Sequence, residues 1–282
     1  MRFGICALIC FMKNFSVLMS VYAKDRPDWV RQALDSVLAN TIRPSEVVIV
    51  IDGPVPSALQ AVLEEFSAKY PQIKLYPLAK NGGLGPALAY GLEKCSYELV
   101  ARMDADDVSL PDRFEKQLSY FAEHADTSVL GGQIQEIDGA SLQPVAIRTV
   151  PQTDTEIKQF LKTRSPFNHV AVMFKKSAVL KVGNYKSFHL LEDYYLWARL
   201  AAGKFQLANL PDVLLNVRVD VAMYGRRGGW QYFKSNLAMS RKLRELGLIS
   251  LSTHLFNAGI RFCVQVLMPN SIRGWFYQKA LR

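Results

Sequence analysis

Residues 99–107 read Leu-Val-Ala-Arg-Met-Asp-Ala-Asp-Asp, an apolar run that ends in three carboxylates. The run predicts a buried strand, and Asp104, Asp106 and Asp107 follow at its carboxyl end. Because alternate residues of an extended chain share a face, Asp104 and Asp106 are predicted to point the same way. Neighbouring carboxylates repel one another, and a hard divalent cation relieves that repulsion. The stretch therefore predicts a metal or polyhydroxyl site, with an acidic turn before a helix as the alternative.

Apolar runs alternate with amphipathic segments on both sides of this stretch. The patterns predict strands over 15–21, 46–51 and 73–78 and one ending at residue 103; the helices are predicted over 27–38, 56–69, after residue 86, and 111–123. Strands that are apolar on both faces and alternate with amphipathic helices indicate βαβ units. We therefore predict an α/β fold with a mainly parallel sheet and helices on both faces.

Polar loops follow the predicted strands. The carboxyl ends of parallel strands meet at one edge of a sheet, where ligands bind. That edge is predicted to gather residues 20–22, 52–53, 81–85 and 104–107. This convergence favours a functional site over a simple acidic turn. The run Gly82-Gly83-Leu84-Gly85 lacks the third glycine of a dinucleotide motif and the lysine of a P-loop, so a turn into the next helix accounts for it.

Length and composition restrict the class of protein. With 282 residues, half of them hydrophobic, the chain can form one sizeable domain, alone or with an appendage. No run reaches the roughly 18 to 20 apolar residues that span a bilayer. Residues 3–12 imitate a signal-peptide core but no cleavage site follows, so export is not expected. A reducing compartment is favoured because the cysteines have neither disulfide-framework nor zinc-site spacing; they are Cys6, Cys10, Cys95 and Cys263.

Basic charge is concentrated at the carboxyl-terminal end. The formal net charge is +9, and residues 221–282 contain ten Lys and Arg against the single acid Glu245, so residues 1–220 are neutral overall. This division favours a polyanionic partner, either nucleic acid or an anionic membrane leaflet. Apolar residues at helical spacing in the same segment favour a helix at a bilayer interface, with packing on the core as the alternative. These residues are Leu255, Phe256, Ile260, Val264 and Leu267.

Five stretches in combination resemble glycosyltransferase family 2. They are residues 15–22, 47–53, 81–87, 104–113 and 191–197, and the resemblance extends to about residue 219. Within the family the chain is similar to bacterial enzymes that build exopolysaccharide or O-antigen repeat units, such as the amylovoran biosynthesis glycosyltransferases. The resemblance implies a Rossmann-like GT-A fold over residues 1–220, with residues 221–282 as a helical extension. It also implies a nucleoside diphosphate sugar donor, Mg²⁺ or Mn²⁺, and inversion at the anomeric carbon.

The resemblance also implies roles for individual residues on the donor side. Ser20 and Tyr22 match positions that line the nucleobase pocket, and Asp52 matches the acid that reads the edge of the base. Asp104 matches the first acid of the DxD motif, near the ribose, and Asp106 matches the metal ligand that bridges to the diphosphate. The family often has a second acid just before Asp52, where this chain has an isoleucine. Asp107 receives no role, and Arg226 and Arg227 match a phosphate-binding motif only loosely.

Glu192 and Asp193 are the candidates for the acceptor side. Inversion by single displacement needs a carboxylate that takes the proton of the acceptor hydroxyl. The resemblance implies that Asp193 is this base and that Glu192 orients it or binds acceptor. From the spacing alone, a cap and first-turn acid pair for the helix that follows is the favoured interpretation. His169 is the histidine that could approach the same edge.

Together these features predict a glycosyltransferase that moves a hexose, expected from a UDP-sugar, to a lipid-linked oligosaccharide. We expect it on the cytoplasmic face of the cell membrane, bound peripherally to anionic lipid, with no nucleic-acid partner. A sugar-nucleotide nucleotidyltransferase is one alternative, although residues 23–26 are not the glycine-rich basic loop it would need after its first strand. A non-catalytic nucleic-acid or membrane-binding module is the other, and it would leave the acids of the sheet edge without a purpose.

Overall fold

The structure is a computed structural model that describes residues 14–219 and 229–268. Several predictions from the sequence lie outside these residues. They are the signal-like stretch 3–12, Cys6 and Cys10, Arg226 and Arg227, and the 220/221 boundary between the two predicted regions.

The amino-terminal part of the chain is a parallel sheet with interleaved helices. Its strands are β1 (Phe15–Val21), β2 (Glu46–Ile51), β3 (Ile73–Pro77) and β4 (Leu99–Met103). Its helices are α1 (Pro27–Leu38), α2 (Ser57–Lys69) and α3 (Leu84–Lys94). The strands pair in the order β3–β2–β1–β4, and each pair is parallel. The predicted α/β fold and its βαβ units are confirmed.

The sheet continues beyond β4 as a mixed sheet. The remaining strands are β5 (Val108–Ser109), β6 (Thr127–Asp138), β7 (Pro144–Arg148), β8 (Met173–Lys175) and β9 (Gln206–Val219). The order runs β4–β8–β6–β9–β5, with β7 paired to β6. Strand β8 is antiparallel to both neighbours, whereas β9 is parallel to β6. The helices of this part are α4 (Arg113–Glu123), α5 (Asp154–Phe160), α6 (Lys176–Lys181) and α7 (Glu192–Ala202).

Alternate residues of the central strands feed two separate cores. On β1, Val17 and Met19 face the core beneath α1, α2 and α4, whereas Leu18 faces the core beneath α3 and α7. This division follows from the period of two in an extended chain. Arg102 on β4 has the same parity as Val100, which lies in the second core, so a charged residue is directed toward the α7 side of the sheet.

The carboxyl-terminal part is helical, as predicted. Helix α8 (Gly229–Glu245) packs on the second core through Met239 and Leu243. Helix α9 (Leu251–Phe262) continues as a π-helical turn over Cys263–Leu267. Helix α8 therefore packs on the core. The apolar face of α9 is exposed instead, with Leu255, Phe256 and Ile260 at 62%, 66% and 48% exposure. Over residues 14–219 and 229–268, no helix has both the length and the apolar character that a membrane crossing requires.

Candidate active site

The three carboxylates that follow β4 lie together at the carboxyl edge of the sheet. One ligand oxygen from each of Asp104, Asp106 and Asp107 lies within 4.8 Å of the others. Asp104 and Asp106 are partly exposed, whereas Asp107 is buried. The Oδ1 atom of Asp107 accepts a hydrogen bond from the backbone N–H of Arg218 on β9, at 3.0 Å. This hydrogen bond connects the acidic cluster to strand β9 in the mixed part of the sheet.

This cluster carries negative charge that the neighbouring Arg102 and Arg218 offset only in part, and a cation would relieve the rest. Burial raises the pKa of Asp106 to about 6, and the charge of Asp104 adds to this effect. Burial and the charge of Asp106 raise the pKa of Asp107 well above its usual range. Hard divalent cations prefer carboxylate oxygens, and they favour the charged form of such groups. The donor set therefore fits a hard divalent cation, and Asp104 and Asp106 are its two partly exposed carboxylates.

Arg102 is a buried cation beneath the cluster, and sequence analysis did not identify it. Its side chain is 1% exposed, and its Nη2 atom pairs with Oδ1 of Asp104. Burial lowers the pKa of Arg102, but the charge and the hydrogen bond of Asp104 outweigh it, so the net pKa is raised. The pairing fixes the orientation of Asp104. An arginine inside an otherwise apolar strand, two residues before the first acid, was the signal available in the sequence.

Arg218 holds the acidic loop from the other side. Its Nη1 atom donates to the backbone carbonyl of Asp106, and its Nη2 atom donates to Oε1 of Gln32 on α1. The guanidinium also lies over the ring of Trp29, 5.3 Å from the centroid. Arg218 thus links α1, β9 and the acidic loop, and nothing in its local sequence distinguishes it.

Asp25 is a fourth acid of the site. Its Oδ2 atom accepts a hydrogen bond from the backbone N–H of Tyr22 at 2.8 Å, which closes the turn after β1. Burial raises the pKa of Asp25 to about 7, although the Tyr22 N–H lowers it, and the charges of Asp106 and Asp104 add to the rise. The first loop therefore contributes an acid to the same edge of the sheet as the acidic cluster.

The residues predicted for the nucleobase lie on the adjoining strands. Ser20 is a partly exposed residue near the end of β1, and Tyr22 follows the strand with 39% exposure. Asp52 is buried, and its Oδ1 and Oδ2 atoms accept hydrogen bonds from the backbone N–H groups of Gly82 and Gly83, at 2.7 and 2.9 Å. Both oxygens of Asp52 thus organise the glycine loop, which the sequence interpretation did not anticipate.

We expect Asp52→Asn to destabilise the protein by about 1–3 kcal/mol, because the amide nitrogen would face a backbone N–H that needs an acceptor. Urea unfolding at pH 7.5 measures the change. Asp138→Asn is a matched control, since Oδ1 of Asp138 also accepts loop N–H groups, from Ala140 and Ser141, but at an exposed position. Equal stability of the two variants would show that the glycine loop does not depend on the charge of Asp52.

Glu192 and Asp193, the residues predicted for the acceptor side, open helix α7. The N-cap residue is Leu191, and it makes no side-chain capping bond, so the two acids occupy the first turn rather than the cap. The glycine loop approaches Glu192 closely, because a Cβ atom built on Gly85 would lie 2.9 Å from its Cγ atom. A glycine at position 85 therefore permits the contact between the loop after β3 and the start of α7.

Asp193 lies in an environment that makes it a stronger base. Burial raises its pKa, and the Tyr194 N–H, Ser165 and the charge of Arg148 offset this only in part. The Ser165 hydroxyl donates to Oδ2 of Asp193 at 3.2 Å. Burial and the charge of Asp193 also raise the pKa of Glu192, although a backbone N–H lowers it. A partly exposed carboxylate with a raised pKa suits proton abstraction at neutral pH.

A histidine–tyrosine pair lies near both Asp104 and Asp193. Nε2 of His169 lies 3.0 Å from the Tyr185 hydroxyl. Burial and then the charge of Arg102 lower the pKa of His169 well below its usual value, so the ring is neutral. The pKa of Tyr185 is raised, first by burial and in part by the charges of Asp193 and Asp104, against the charge of Arg102. His169 does approach the edge of the sheet, but as a neutral partner of Tyr185.

Comparisons with known proteins point in the same direction. The model of the family described as glycosyl transferase family 2 matches residues 16–187. The chain is 38% identical over 268 residues to the amylovoran biosynthesis glycosyltransferase AmsE of Erwinia amylovora, covering 94% of this chain and 98% of that protein. It is 37% identical over 269 residues to the UDP-Gal:alpha-D-GlcNAc-diphosphoundecaprenol beta-1,3-galactosyltransferase of Escherichia coli, covering 95% and 97%.

The fold also matches solved structures. The crystal structure of S. aureus TarS residues 1–349 in complex with UDP-GlcNAc superposes with a TM-score of 0.68 at 16% identity, covering 94% of this chain and 79% of that one. This likeness confirms the GT-A architecture expected from the sequence. The family model covers more than half of the chain, and both relatives match nearly its whole length. The chain therefore belongs to glycosyl transferase family 2 and is a glycosyltransferase.

Proposed function

We propose that the protein transfers a hexose from a nucleoside diphosphate sugar, expected to be a UDP-sugar, to a lipid-linked saccharide, with inversion of the anomeric carbon. Asp193 takes the proton of the acceptor hydroxyl, and Glu192 supports it. Ser20, Tyr22 and Asp52 contact the nucleobase side of the donor, and Asp104 contacts the ribose. Bacterial exopolysaccharide or O-antigen synthesis is the setting that agrees with the two named relatives.

The observation that carries this proposal is the meeting of two kinds of acid at one edge of the sheet. Asp104 and Asp106 follow β4, and Glu192 and Asp193 open α7, which contacts the glycine loop at Gly85. A group-transfer site needs charge stabilisation for the leaving group on one side of the reacting carbon and a base on the other. The charges of both Asp104 and Asp193 raise the pKa of Tyr185, which supports the proximity of the two acids.

Asp106 is the residue that we assign to Mg²⁺ or Mn²⁺, with Asp104 beside it. A divalent cation supplies positive charge where negative charge develops on the departing nucleoside diphosphate. Arg102 holds Asp104 in place through its Nη2 atom. The backbone N–H of Arg218 occupies Oδ1 of Asp107, so we assign Asp107 to positioning the loop.

A donor panel tests the proposed reaction. Purified protein is incubated with UDP-, GDP- and dTDP-linked hexoses, a lipid-diphosphate saccharide and Mn²⁺, and both nucleoside diphosphate release and the acceptor mass are measured. We expect one donor to give release together with an acceptor one hexose heavier. Release of pyrophosphate from a sugar phosphate and a nucleoside triphosphate would instead identify a nucleotidyltransferase.

We further propose that the protein binds the cytoplasmic face of the cell membrane through its carboxyl-terminal region. Leu255, Phe256 and Ile260 form an exposed apolar face on α9, and residues 221–282 carry a large basic excess. Each Lys or Arg near an anionic surface contributes about 1 kcal/mol, and buried apolar area adds to this. Charge complementarity therefore favours an anionic lipid surface as the occupant of this face.

The double variant Leu255→Asp/Phe256→Asp should lose most binding to phosphatidylglycerol vesicles, because it places charge in the face that would enter the interface. Point changes are preferable to truncation after Ser250, since Asn257 and Arg261 of α9 bond to the core domain. Leu142→Asp is the control, as Leu142 is similarly exposed but lies in the β6–β7 loop. Co-sedimentation at two salt concentrations measures binding; parental binding by the double variant would contradict the assignment of α9 to the membrane.

A further inference from the structure

Helix α9 is hydrogen-bonded to the loop that contacts Asp193, the predicted base. Nδ2 of Asn257 donates to the carbonyl of Lys162 at 2.9 Å. Nη2 of Arg261 donates to the carbonyl of Thr163, and its Nη1 atom donates to Oδ1 of Asn236 on α8. The carboxyl-terminal helices are therefore bound to residues 162–163 rather than lying apart from the catalytic domain.

The same loop continues directly to Asp193. Ser165, two residues after Thr163, donates its hydroxyl hydrogen to Oδ2 of Asp193 at 3.2 Å. The hydroxyl of Tyr194, which follows Asp193, donates to the carbonyl of Leu161 at 2.5 Å. The segment 161–165 thus contacts α7 at the predicted base and α9 at Arg261, so these two sites are separated by one short stretch of chain.

In the sequence, Arg164 lies between Thr163, which accepts a hydrogen bond from Arg261, and Ser165, which donates one to Asp193. Its side chain is exposed, and its guanidinium lies 4.6 Å from the centroid of the Phe160 ring. Burial and the positive charge of Arg261 lower the pKa of Arg164. Arg261 donates to the carbonyl of Thr163, the residue directly before Arg164, so the two positive charges are near one another. Their repulsion is a cost that an anion bound between them removes.

Three kinds of chemistry therefore follow one another along these contacts. The apolar face of α9 comes first, with Leu255, Phe256 and Ile260. Arg261 at the end of α9 and Arg164 come next, and Asp193 follows through Ser165. A lipid-linked saccharide has the same order of groups: an apolar chain, a diphosphate, and a sugar that carries the acceptor hydroxyl.

We propose that Arg164 and Arg261 form the site for the diphosphate of a lipid-diphosphate saccharide acceptor, with the lipid chain toward α9 and the sugar toward Asp193. This inference rests on the proposed function, whose acceptor it describes in chemical detail. The planar guanidinium fork matches phosphate oxygens with paired donors, which a lysine ammonium does not. Arg261 also braces the Thr163 loop, so binding at the site is coupled to the position of Ser165 beside the base.

The test compares two acceptors in neutral detergent without anionic lipid. One is a saccharide joined through a diphosphate to an alkyl chain, and the other is the same saccharide joined directly to that chain. The parent is expected to favour the diphosphate acceptor in kcat/KM. Arg164→Gln should reduce this preference about tenfold, mainly through KM, and Arg164→Lys should retain part of it.

Arg43→Gln is the matched control, because Arg43 is an exposed arginine that precedes β2, at the amino edge of the sheet, away from the site. An unchanged acceptor preference in Arg164→Gln overturns the inference while leaving the proposed transferase activity intact. Loss of binding to phosphatidylglycerol vesicles with unchanged acceptor preference assigns the pair to lipid headgroups and also overturns it. Failure of the parent to modify either acceptor would contradict the proposed function itself.

Discussion

We expect replacement of Asp193 with Asn to lower the turnover of sugar transfer about 100-fold or more and to leave the donor affinity near the parental value. An amide has nearly the shape of the carboxylate but cannot take a proton from the acceptor hydroxyl. The loss falls on kcat because a general base acts in the transition state and contributes little to ground-state binding. Steady-state kinetics with lipid-linked acceptor, together with calorimetric titration of nucleoside diphosphate, measures both quantities.

The pH dependence of kcat provides a second readout for the same residue. Burial raises the pKa of Asp193 above its usual value, and only the deprotonated form is a base. The parent should therefore lose activity on the acid side as Asp193 becomes protonated, with the midpoint shifted upward from that of an ordinary aspartate. The residual activity of Asp193→Asn should lack that limb. A limb that persists in the variant would assign it to another group, with Glu192 the first candidate.

Glu115→Gln separates catalysis from a helix-dipole effect. Glu115 lies in the first turn of α4, as Asp193 lies in the first turn of α7, but it is exposed and bonds to Thr41. First-turn acids stabilise helices by about 0.3–1 kcal/mol through the dipole. If Asp193 served only its helix, both variants would lose a similar small amount of stability and both would retain turnover.

We expect Asp106→Asn to abolish the dependence of donor binding on divalent cation. The substitution removes the charge that a hard cation requires and preserves the volume of the side chain. Titration of nucleoside diphosphate with Mn²⁺ and with EDTA should give two different affinities for the parent and a single weak affinity for the variant. Asp126→Asn, at an exposed position before β6, is expected to behave as the parent; metal-dependent binding by Asp106→Asn would contradict the assignment.

The same variant should be more stable than the parent when metal is absent. The folded-state pKa of Asp106 is raised from 3.8 to about 6, so the folded protein holds this proton more tightly than the unfolded chain does. The resulting cost is absent below about pH 4, grows between pH 4 and 6, and is about 3 kcal/mol at neutral pH. Urea unfolding in EDTA should show the gain of Asp106→Asn at pH 7.5, and a smaller gain at pH 5.

The strands and helices that have a visible hydrophobic period were predicted correctly from the sequence. The buried strands β1, β2 and β4 are apolar on both faces, and helix α1 has a clear apolar stripe, so the parallel half of the sheet follows from periodicity. Because parallel strands end at one edge, the convergence of Asp52 after β2 with the glycine loop after β3 also followed. The contact of Asp52 with Gly82 and Gly83 confirms that convergence.

The mixed half of the sheet depends on partners distant in sequence. Strand β8 has three residues and β5 has two, which is too short for a period to be visible. The pairing of β6 with β9 joins segments about 80 residues apart, and no local signal specifies it. Antiparallel insertion of β8 next to β4 therefore could not be deduced from periodicity.

Several site residues were not predicted for the same reason, because their roles depend on partners distant in sequence. Arg102 and Arg218 lie on strands, and each acquires its role only when another element brings a partner to it. Asp25 becomes part of the site because the loops after β1 and β4 end at the same edge. The position of Ser165 beside Asp193 depends on how residues 161–165 cross α7. Residue type predicts which charges and hydrogen bonds these side chains can provide, but the tertiary structure determines which partners they meet.

The anomeric configuration of the product tests the central claim most directly. The protein is incubated with an α-linked nucleoside diphosphate hexose of gluco or galacto configuration and a lipid-diphosphate saccharide, and the purified product is examined by mass spectrometry and by the proton coupling constant at the new anomeric centre. A site with one base, Asp193, on the acceptor side predicts a product one hexose heavier with a β linkage. An α linkage, or nucleoside diphosphate release without any gain in acceptor mass, would contradict the account.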